Sequence, residues 1–362
     1  MVYISLGSNM GDRNAYLQLA VGLIAYRVGE IKQISPIYET PSWGFQSDDF
    51  LNCCLEIETR LPPKELLNAL LEIEAFLGRK RKTSRTYLPR TIDLDILYYG
   101  DRVMASDQLT LPHPKIEMRK FILAPLGDIA PHFRPPIGRR TVGELLKNCS
   151  DTTALKVIDA TLSRTSKANF IAIEGNIGTG KTALAHRLAK AFGGELLLEN
   201  FYDNPYLEKF YQNPDKYALA VETAFLEERL SHYTSFFSSK HKLPVIADYC
   251  LEKSLLFAQQ NLKGKTLTTY EEKYSQTTTG LPQPEVVIYL DQKIENAYDQ
   301  IQKRGRSIEK NIDLNYLRKI DAGYHKWLKT KPLPVCQLNV KSLDFVANET
   351  DFFQVLLAFF KH

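Results

Sequence analysis

The chain is predicted to be an α/β protein of two domains, each built on its own sheet. Three observations lead there. A length of 362 residues exceeds what one hydrophobic core ordinarily serves, at about 150 residues per domain. Short apolar runs alternate with helical periodicities across residues 1–160. From residue 169 a strand, a Gly-rich loop and a helix follow one another, and later buried strands are separated by long helical stretches. That is the order of a parallel sheet covered by helices.

Each element follows from its own pattern. Val2–Leu6 is an apolar strand running into the turn-rich GSNMGDR. From Asn14 to about Val28, Leu17, Ala20, Val21 and Ile24 recur at helical spacing. Ile31–Tyr38 and Phe50–Glu58 alternate as strands do. Pro63 opens a helix that gathers Leu66, Leu67, Leu70, Leu71 and Ile73 on one side. Ile92–Tyr99 is a strand closed by Gly100-Asp101. Residues 159–169, DATLSRTSKAN, are polar and aperiodic, so a linker is expected at 161–168 between domains 1–160 and 169–362. Beyond it, strands are expected at Phe170–Glu174, Pro244–Ala247 and Val286–Leu290, with helices at Ala183–Phe192, Ala218–Phe237 and Leu251–Asn261. No internal repeat relates the halves, which read as two unrelated enzymes.

Composition narrows the function classes. Apolar residues at 44% and charged residues at 24% disfavour disorder, coiled coil and collagen. Lys+Arg 46 against Asp+Glu 42 leaves a net charge of +4, which gives no reason to expect nucleic acid or an anionic membrane as partner. Phosphate binding must come from local clusters. Five cysteines without CxxC spacing read as buried thiols of a reducing compartment. With no leader pattern and no apolar stretch of membrane-spanning length, a cytoplasmic location is expected.

In the first half, Ile92-Asp93-Leu94-Asp95-Ile96-Leu97 alternates two acids with aliphatic residues, so both carboxylates project from one face of a strand. Alone, the pair could be a solvated edge, or it could hold two hard divalent ions across a phosphate group. Gly78–Arg90, GRKRKTSRTYLPR, adds six cations and no acid a few positions earlier. Such a loop suits closure on a metal-bearing polyphosphate. A nucleic-acid patch would leave the adjacent aspartates unexplained.

The pieces YISLGSN, YETPSWG, DFLN, PRTIDLDIL, LPH and RKFILAPL then bring in a family. Residues 1–160 resemble 6-hydroxymethyl-7,8-dihydropterin pyrophosphokinase, a folate-pathway enzyme with a ferredoxin-like α+β fold. The resemblance implies that Asp93 and Asp95 hold two Mg²⁺ across ATP and that Arg79, Arg81, Arg90, His113 and Arg119 contact the phosphates. It also implies that the pterin stacks between Phe50 and Phe121, with Asn52 and the neighbourhood of Thr40 reading its edge. Aromatic faces and a donor–acceptor amide suit a flat, neutral heterocycle. On their own, the two phenylalanines could equally be core residues. Leu88 stands where the family usually has Gly, the loop carries one extra residue, and Phe50 replaces a frequent Tyr.

In the second half, Gly175-Asn176-Ile177-Gly178-Thr179-Gly180-Lys181-Thr182 fits the phosphate-cradling P-loop. Lys181 would reach the β- and γ-phosphates and Thr182 would ligate one Mg²⁺. No Asn-Lys-x-Asp guanine signature follows, which disfavours a GTPase. Lys303–Glu309, KRGRSIE, could be a solvated basic turn or a cationic flap over the transferred phosphate.

Residues 169–362 resemble a deoxynucleoside kinase, with GNIGTGKT, LLLENFYDNPYLEKFYQNPDKY, ADYCLEKSLLFAQQNL and RGRSIEKNIDLNYL in family order. That resemblance implies a P-loop kinase fold with ATP as co-substrate. It makes Glu199 the acceptor of the 5′-hydroxyl proton, places Tyr211 and Glu309 on the sugar, and puts Arg304 and Arg306 in the lid. It further implies Arg229 in the base pocket and a homodimer through this domain. Glu222 stands where a base-reading Gln is usual, and an ionised carboxylate that takes N1–H and N2–H of guanine, or sits against Arg229, would favour purines. Asp248-Tyr249 replaces the Asp/Glu-Arg-Ser motif, with Lys253 a candidate for the missing arginine. A non-catalytic nucleotide-binding scaffold and a kinase of another acceptor are the alternatives for this half.

Overall fold

The computed structural model describes residues 1–42, 47–80, 88–200, 204–309, 312–330 and 334–362. The chain forms two compact units, Met1–Lys167 with Phe360–His362, and Ala168–Phe359.

In the first unit, β1 (Val2–Ser8) leads through α1 (Arg13–Arg27) to β2 (Glu30–Ile34), β3 (Tyr38–Thr40) and β4 (Phe50–Glu58). Then come α2 (Pro63–Phe76), β5 (Asp93–Tyr99), a small hairpin of β6 (Met104–Ala105) and β7 (Thr110–Leu111), α3 (Lys120–Ile129), α4 (Val142–Lys147) and β8 (Lys156–Val157). The main sheet runs β5-β1-β4-β3-β8 with β2 also on β4, and β1 pairs antiparallel with both β4 and β5. The antiparallel sheet with helices is the expected α+β arrangement.

Local chemistry sets the ends. Asp12 accepts from the Ala15 amide at 3.0 Å to start α1, and Thr141 and Glu144 form a reciprocal capping box on α4. The strand expected at 31–38 is two strands. Pro36 lacks the N–H that a continuous ladder needs, so the chain breaks at Ser35-Pro36-Ile37. Along β5, Leu94 and Ile96 are buried while Asp93 and Asp95 lie on the opposite, half-buried face.

The second unit runs β9 (Phe170–Glu174), α5 (Lys181–Phe192), β10 (Glu195–Leu197), α6 (Leu207–Gln212), α7 (Pro214–Ser238), β11 (Val245–Ala247), α8 (Glu252–Asn261) and α9 (Gly264–Thr278). It continues with β12 (Val286–Asp291), α10 (Ile294–Arg304), a 3₁₀ turn at Ser307–Glu309, α11 (Leu314–Thr330), β13 (Val335–Asn339) and α12 (Glu349–Phe360). Its sheet, ordered β10-β11-β9-β12-β13, is parallel throughout. All of β9, through Ile171, Ala172 and Ile173, is buried, as a central strand covered on both faces requires. The turn from β9 into α5 lies at the carboxyl end of that strand, where ligands of open parallel sheets bind.

Candidate active sites

In the first unit, one cavity of about 240 Å³ is lined from four strands, the loops beside them and α3. Thr40 comes from β3, Phe50 and Asn52 from β4, Asp93 and Asp95 from β5, and Ser5 and Gly7 from β1. Arg79, Arg90, His113, Arg119 and Phe121 complete it. Every residue expected here therefore meets in one place except Arg81, which lies outside the described residues.

Asp93 is held by Arg90 at 2.9 Å and by Arg79, and Arg79 also pairs with Glu74. Glu74 is buried and accepts the Leu94 amide at 2.8 Å. Asp95 has its pKa raised to about 7, first by burial and then by the neighbouring charges of Asp93 and Glu74. The Asp93 and Asp95 carboxylates, on one face of β5, are hard oxygen donors of the kind divalent cations take when they arrive with a polyphosphate. Burial and Arg119 push His113 down to about 4, so it is neutral at physiological pH. The Asn52 amide donates to the Thr40 hydroxyl at 2.8 Å, which fixes its orientation. Guanidinium groups lie over both rings, Arg90 at 5.3 Å from Phe50 and Arg119 at 5.6 Å from Phe121.

Two residues escaped the sequence reading. The Asn9 side-chain carbonyl accepts the Arg90 main-chain N–H at 2.8 Å and the Asn9 main-chain N–H donates to the Arg90 carbonyl at 3.2 Å, so the end of β1 anchors the basic segment. Its signal was the SN of the quoted YISLGSN. Glu74 gave none, since in ALLEIEAF it reads as one more helix acid.

The second unit has a site between the P-loop, α7, α8 and α10. Gly175, Gly178 and Gly180 take positive φ values of 149°, 84° and 91°, and Gly180 caps α5. Ile177, Gly178, Lys181 and Thr182 line the cavity. Asn176 and Thr179 are buried in the loop itself: the Asn176 amide donates to the Leu317 carbonyl, and the Thr179 hydroxyl donates to the Asn176 carbonyl. Lys181 donates to the carbonyls of Gly175 and Asn176 at 2.9 and 2.8 Å. Burial and the nearby Lys253 lower its pKa to about 8.

Asp248 joins the site's two ends. One oxygen accepts the Thr182 hydroxyl at 2.5 Å and the other accepts the Glu199 amide at 2.7 Å. The Thr182–Asp248 oxygen pair is the kind of donor set Mg²⁺ takes alongside nucleotide phosphates. Glu199 receives Arg229 through Nε at 2.9 Å and Nη2 at 2.5 Å, and Lys253 at 2.5 Å. Against the cost of burial, these cations hold its carboxyl down at about 2. Lys253 thus pairs directly with Glu199. Arg229 also binds the Ser254 hydroxyl at 2.7 Å, so the cation expected beside Glu222 is engaged elsewhere. Arg304 grips Glu309 through two nitrogens, at 3.0 and 2.7 Å, with Arg306 at 3.6 Å. Tyr211, Glu222 and Glu309 line the same cavity.

Fold and sites together define two ATP-using transferases on one chain, one a phosphate-and-heterocycle cavity on an antiparallel sheet and the other a P-loop kinase. Residues 3–131 match the family model for 7,8-dihydro-6-hydroxymethylpterin-pyrophosphokinase, and residues 171–361 match that for deoxynucleoside kinase. The deoxyguanosine kinase of Bacillus subtilis is 38% identical over 192 residues, 51% of this chain and 93% of that protein. A 2-amino-4-hydroxy-6-hydroxymethyldihydropteridine pyrophosphokinase of Aquifex aeolicus is 41% identical over 144 residues, 40% of this chain and 88% of that protein. Its Bacillus subtilis counterpart is 44% identical over 131 residues, 36% of this chain and 77% of that protein.

The chain belongs to both families: a hydroxymethyl-dihydropterin pyrophosphokinase domain of folate synthesis is followed by a deoxynucleoside kinase domain. Both classes use ATP and Mg²⁺. Among the described residues no helix is long and apolar enough to cross a membrane.

Proposed function

We propose that the first domain transfers the terminal two phosphates of ATP, as one group, to the hydroxymethyl oxygen of 6-hydroxymethyl-7,8-dihydropterin, and that the second phosphorylates the 5′-hydroxyl of a purine deoxynucleoside. In the first, Asp93 and Asp95 hold two Mg²⁺ and Arg79, Arg81, Arg90, His113 and Arg119 hold the phosphates. Phe50 and Phe121 sandwich the pterin while Asn52, oriented by Thr40, reads its edge. Mg²⁺ bound there neutralises the triphosphate and aligns it for attack. No residue acts as a strong base; positioning and charge neutralisation supply the rate. In the second, Lys181 and the P-loop amides hold ATP, Thr182 holds one Mg²⁺, and Arg304 and Arg306 close on the phosphoryl group. Tyr211 and Glu309 hold the sugar and Glu222 faces the base. Glu199 orients the 5′-hydroxyl and accepts its proton as the bond to phosphorus forms.

One observation carries this reading: in each unit the described acids and cations with assigned roles line a single cavity. The Bacillus subtilis deoxyguanosine kinase supports a purine acceptor. The reading extends to domains 1–160 and 169–362 joined by 161–168, and to a cytoplasmic homodimer formed through the second domain. The small net charge of +4 supports small-molecule substrates without nucleic acid.

Product analysis tests it. With ATP·Mg²⁺, the pterin yields AMP, a product lost in Asp95→Ala and kept in Lys181→Ala. Deoxyguanosine or deoxyadenosine yields ADP, with the opposite pattern. ADP formed only with pyrimidine deoxynucleosides overturns the purine assignment.

A further inference from the structure

Resting on the purine reading, we infer that the kinase pocket takes both purines and that the proton on Glu222 decides which: the charged carboxylate reads guanine and the neutral acid reads adenine.

The argument begins with what Glu222 touches. It is 2% exposed and lines the nucleoside cavity beside Tyr211, Phe225 and Tyr316. Its Oε1 accepts the Asn261 amide at 2.8 Å, and that amide also donates to the Tyr316 hydroxyl at 3.1 Å. Its Oε2 is buried with no hydrogen-bond partner among the described residues. A buried carboxylate oxygen left unpaired is costly and calls for a ligand N–H or a proton of its own.

Charges around it leave both options open. On its own helix, Arg229 spends its described hydrogen bonds on Glu199 and Ser254. From α8 come Asn261 and Lys253, the latter bound to Glu199; from α9, Tyr270 donates to the Glu222 main-chain carbonyl at 3.2 Å. Tyr211 on α6 and Tyr316 on α11 flank it, Glu199 lies beyond Arg229, and Glu309 is paired with Arg304. No cation bonds the Glu222 carboxylate among the described residues. Burial is the largest influence and lifts its pKa to about 7, so the two protonation states are close in free energy at neutral pH.

The purine edges complement these states. Guanine presents N1–H and N2–H, two donors that only an acceptor pair can meet. Adenine presents an N1 acceptor and an N6–H donor, which a neutral carboxyl meets as an amide would. With guanine held through N1–H and N2–H by the ionised fraction and adenine held by the protonated one, the ratio of their specificity constants follows the ratio of those fractions. It rises about tenfold per pH unit wherever the midpoint lies.

The experiment is a one-vial competition. The full chain, with ATP·Mg²⁺, phosphorylates deoxyguanosine and deoxyadenosine together from about pH 5.5 to about pH 8, where neither base titrates. Ionisations shared by both reactions cancel. The expected guanine-to-adenine product ratio climbs about tenfold per pH unit. Glu222→Gln, which cannot titrate, flattens it. Asn261→Leu, which removes a hydrogen bond favouring the ionised form, keeps the slope and moves the ratio toward adenine at every pH. A pH-independent ratio in the wild-type chain, or a slope that survives Glu222→Gln, overturns the inference and leaves the purine reading standing. Phosphorylation of neither purine overturns both.

Discussion

Glu222 and Glu199 are acids of one cavity driven in opposite directions. Arg229 and Lys253 hold Glu199 ionised at about 2, whereas burial lifts Glu222 to about 7. A folded-state pKa above the unfolded value means that the native chain binds the extra proton, so Glu222 costs stability as pH rises from about 4.5 to about 7 and a constant amount above that. Glu222→Gln should therefore raise the unfolding temperature at pH 8, by the equivalent of about 1–3 kcal/mol, and leave it nearly unchanged at pH 4.5. Thermal melts at the two pH values decide this; equal shifts at both would assign the effect to packing. For Glu199→Gln, the amide oxygen can still accept from Arg229, so the expected loss lies in turnover, about 10²–10⁴ in kcat with little change in KM. At this scale, residue types were legible where a motif quotes them, as with Asp93, Lys181 and Glu199. Partners such as Glu74, Asn9 and Asn261 were not, because their roles depend on contacts across 20, 81 and 39 positions of sequence that no local pattern encodes.

At the scale of elements, strands and glycines set the clearances. A Cβ on Gly7 would sit 2.9 Å from the Asn52 Oδ1 and 3.6 Å from the Phe50 ring. Gly7→Ala should push the amide off the pterin edge and raise KM for the pterin by roughly tenfold, with ADP formation by the other domain as the internal control. Gly178, at φ 84°, would place a Cβ 2.3 Å from the Ala297 carbonyl of α10. Gly178→Ala should displace the phosphate loop and cut ADP formation at least about hundredfold while AMP formation persists. An alanine there without effect would mean that the loop does not depend on α10. Apolar periodicity exposed β1, β4, α2, β9 and α7 well. It did not mark α9, whose GKTLTTYEEKYSQTT is largely polar and buries only Tyr270 and Thr278. Nor did alternation reveal the break at Pro36, where the hydrophobic pattern continues although the ladder cannot.

For the whole molecule, two sheets of different kind divide the work. An antiparallel sheet leaves one face of β5 half-buried and supplies the paired acids, while a parallel sheet with a fully buried central strand offers its strand ends and a helix start. Each cavity is lined by residues of one unit alone, so silencing one should leave the other's turnover within about twofold, the ordinary behaviour of sites that share no partners. Steady-state rates of Asp95→Ala for ADP and of Lys181→Ala for AMP measure this, and a larger cross-effect would reveal communication between them. Both folds were legible because each carries a dense phosphate motif next to a strongly patterned strand.

The forked carboxylate of Asp248 has a mechanical meaning. By gripping a threonine side chain with one oxygen and the main chain of Glu199 with the other, it acts as a yoke, which under the proposed roles joins the phosphate end of the reaction to the alcohol end. On that proposal the gap across which phosphorus travels would be gauged by the span of a single short side chain, and helices that shift around it would carry both reactants along in step.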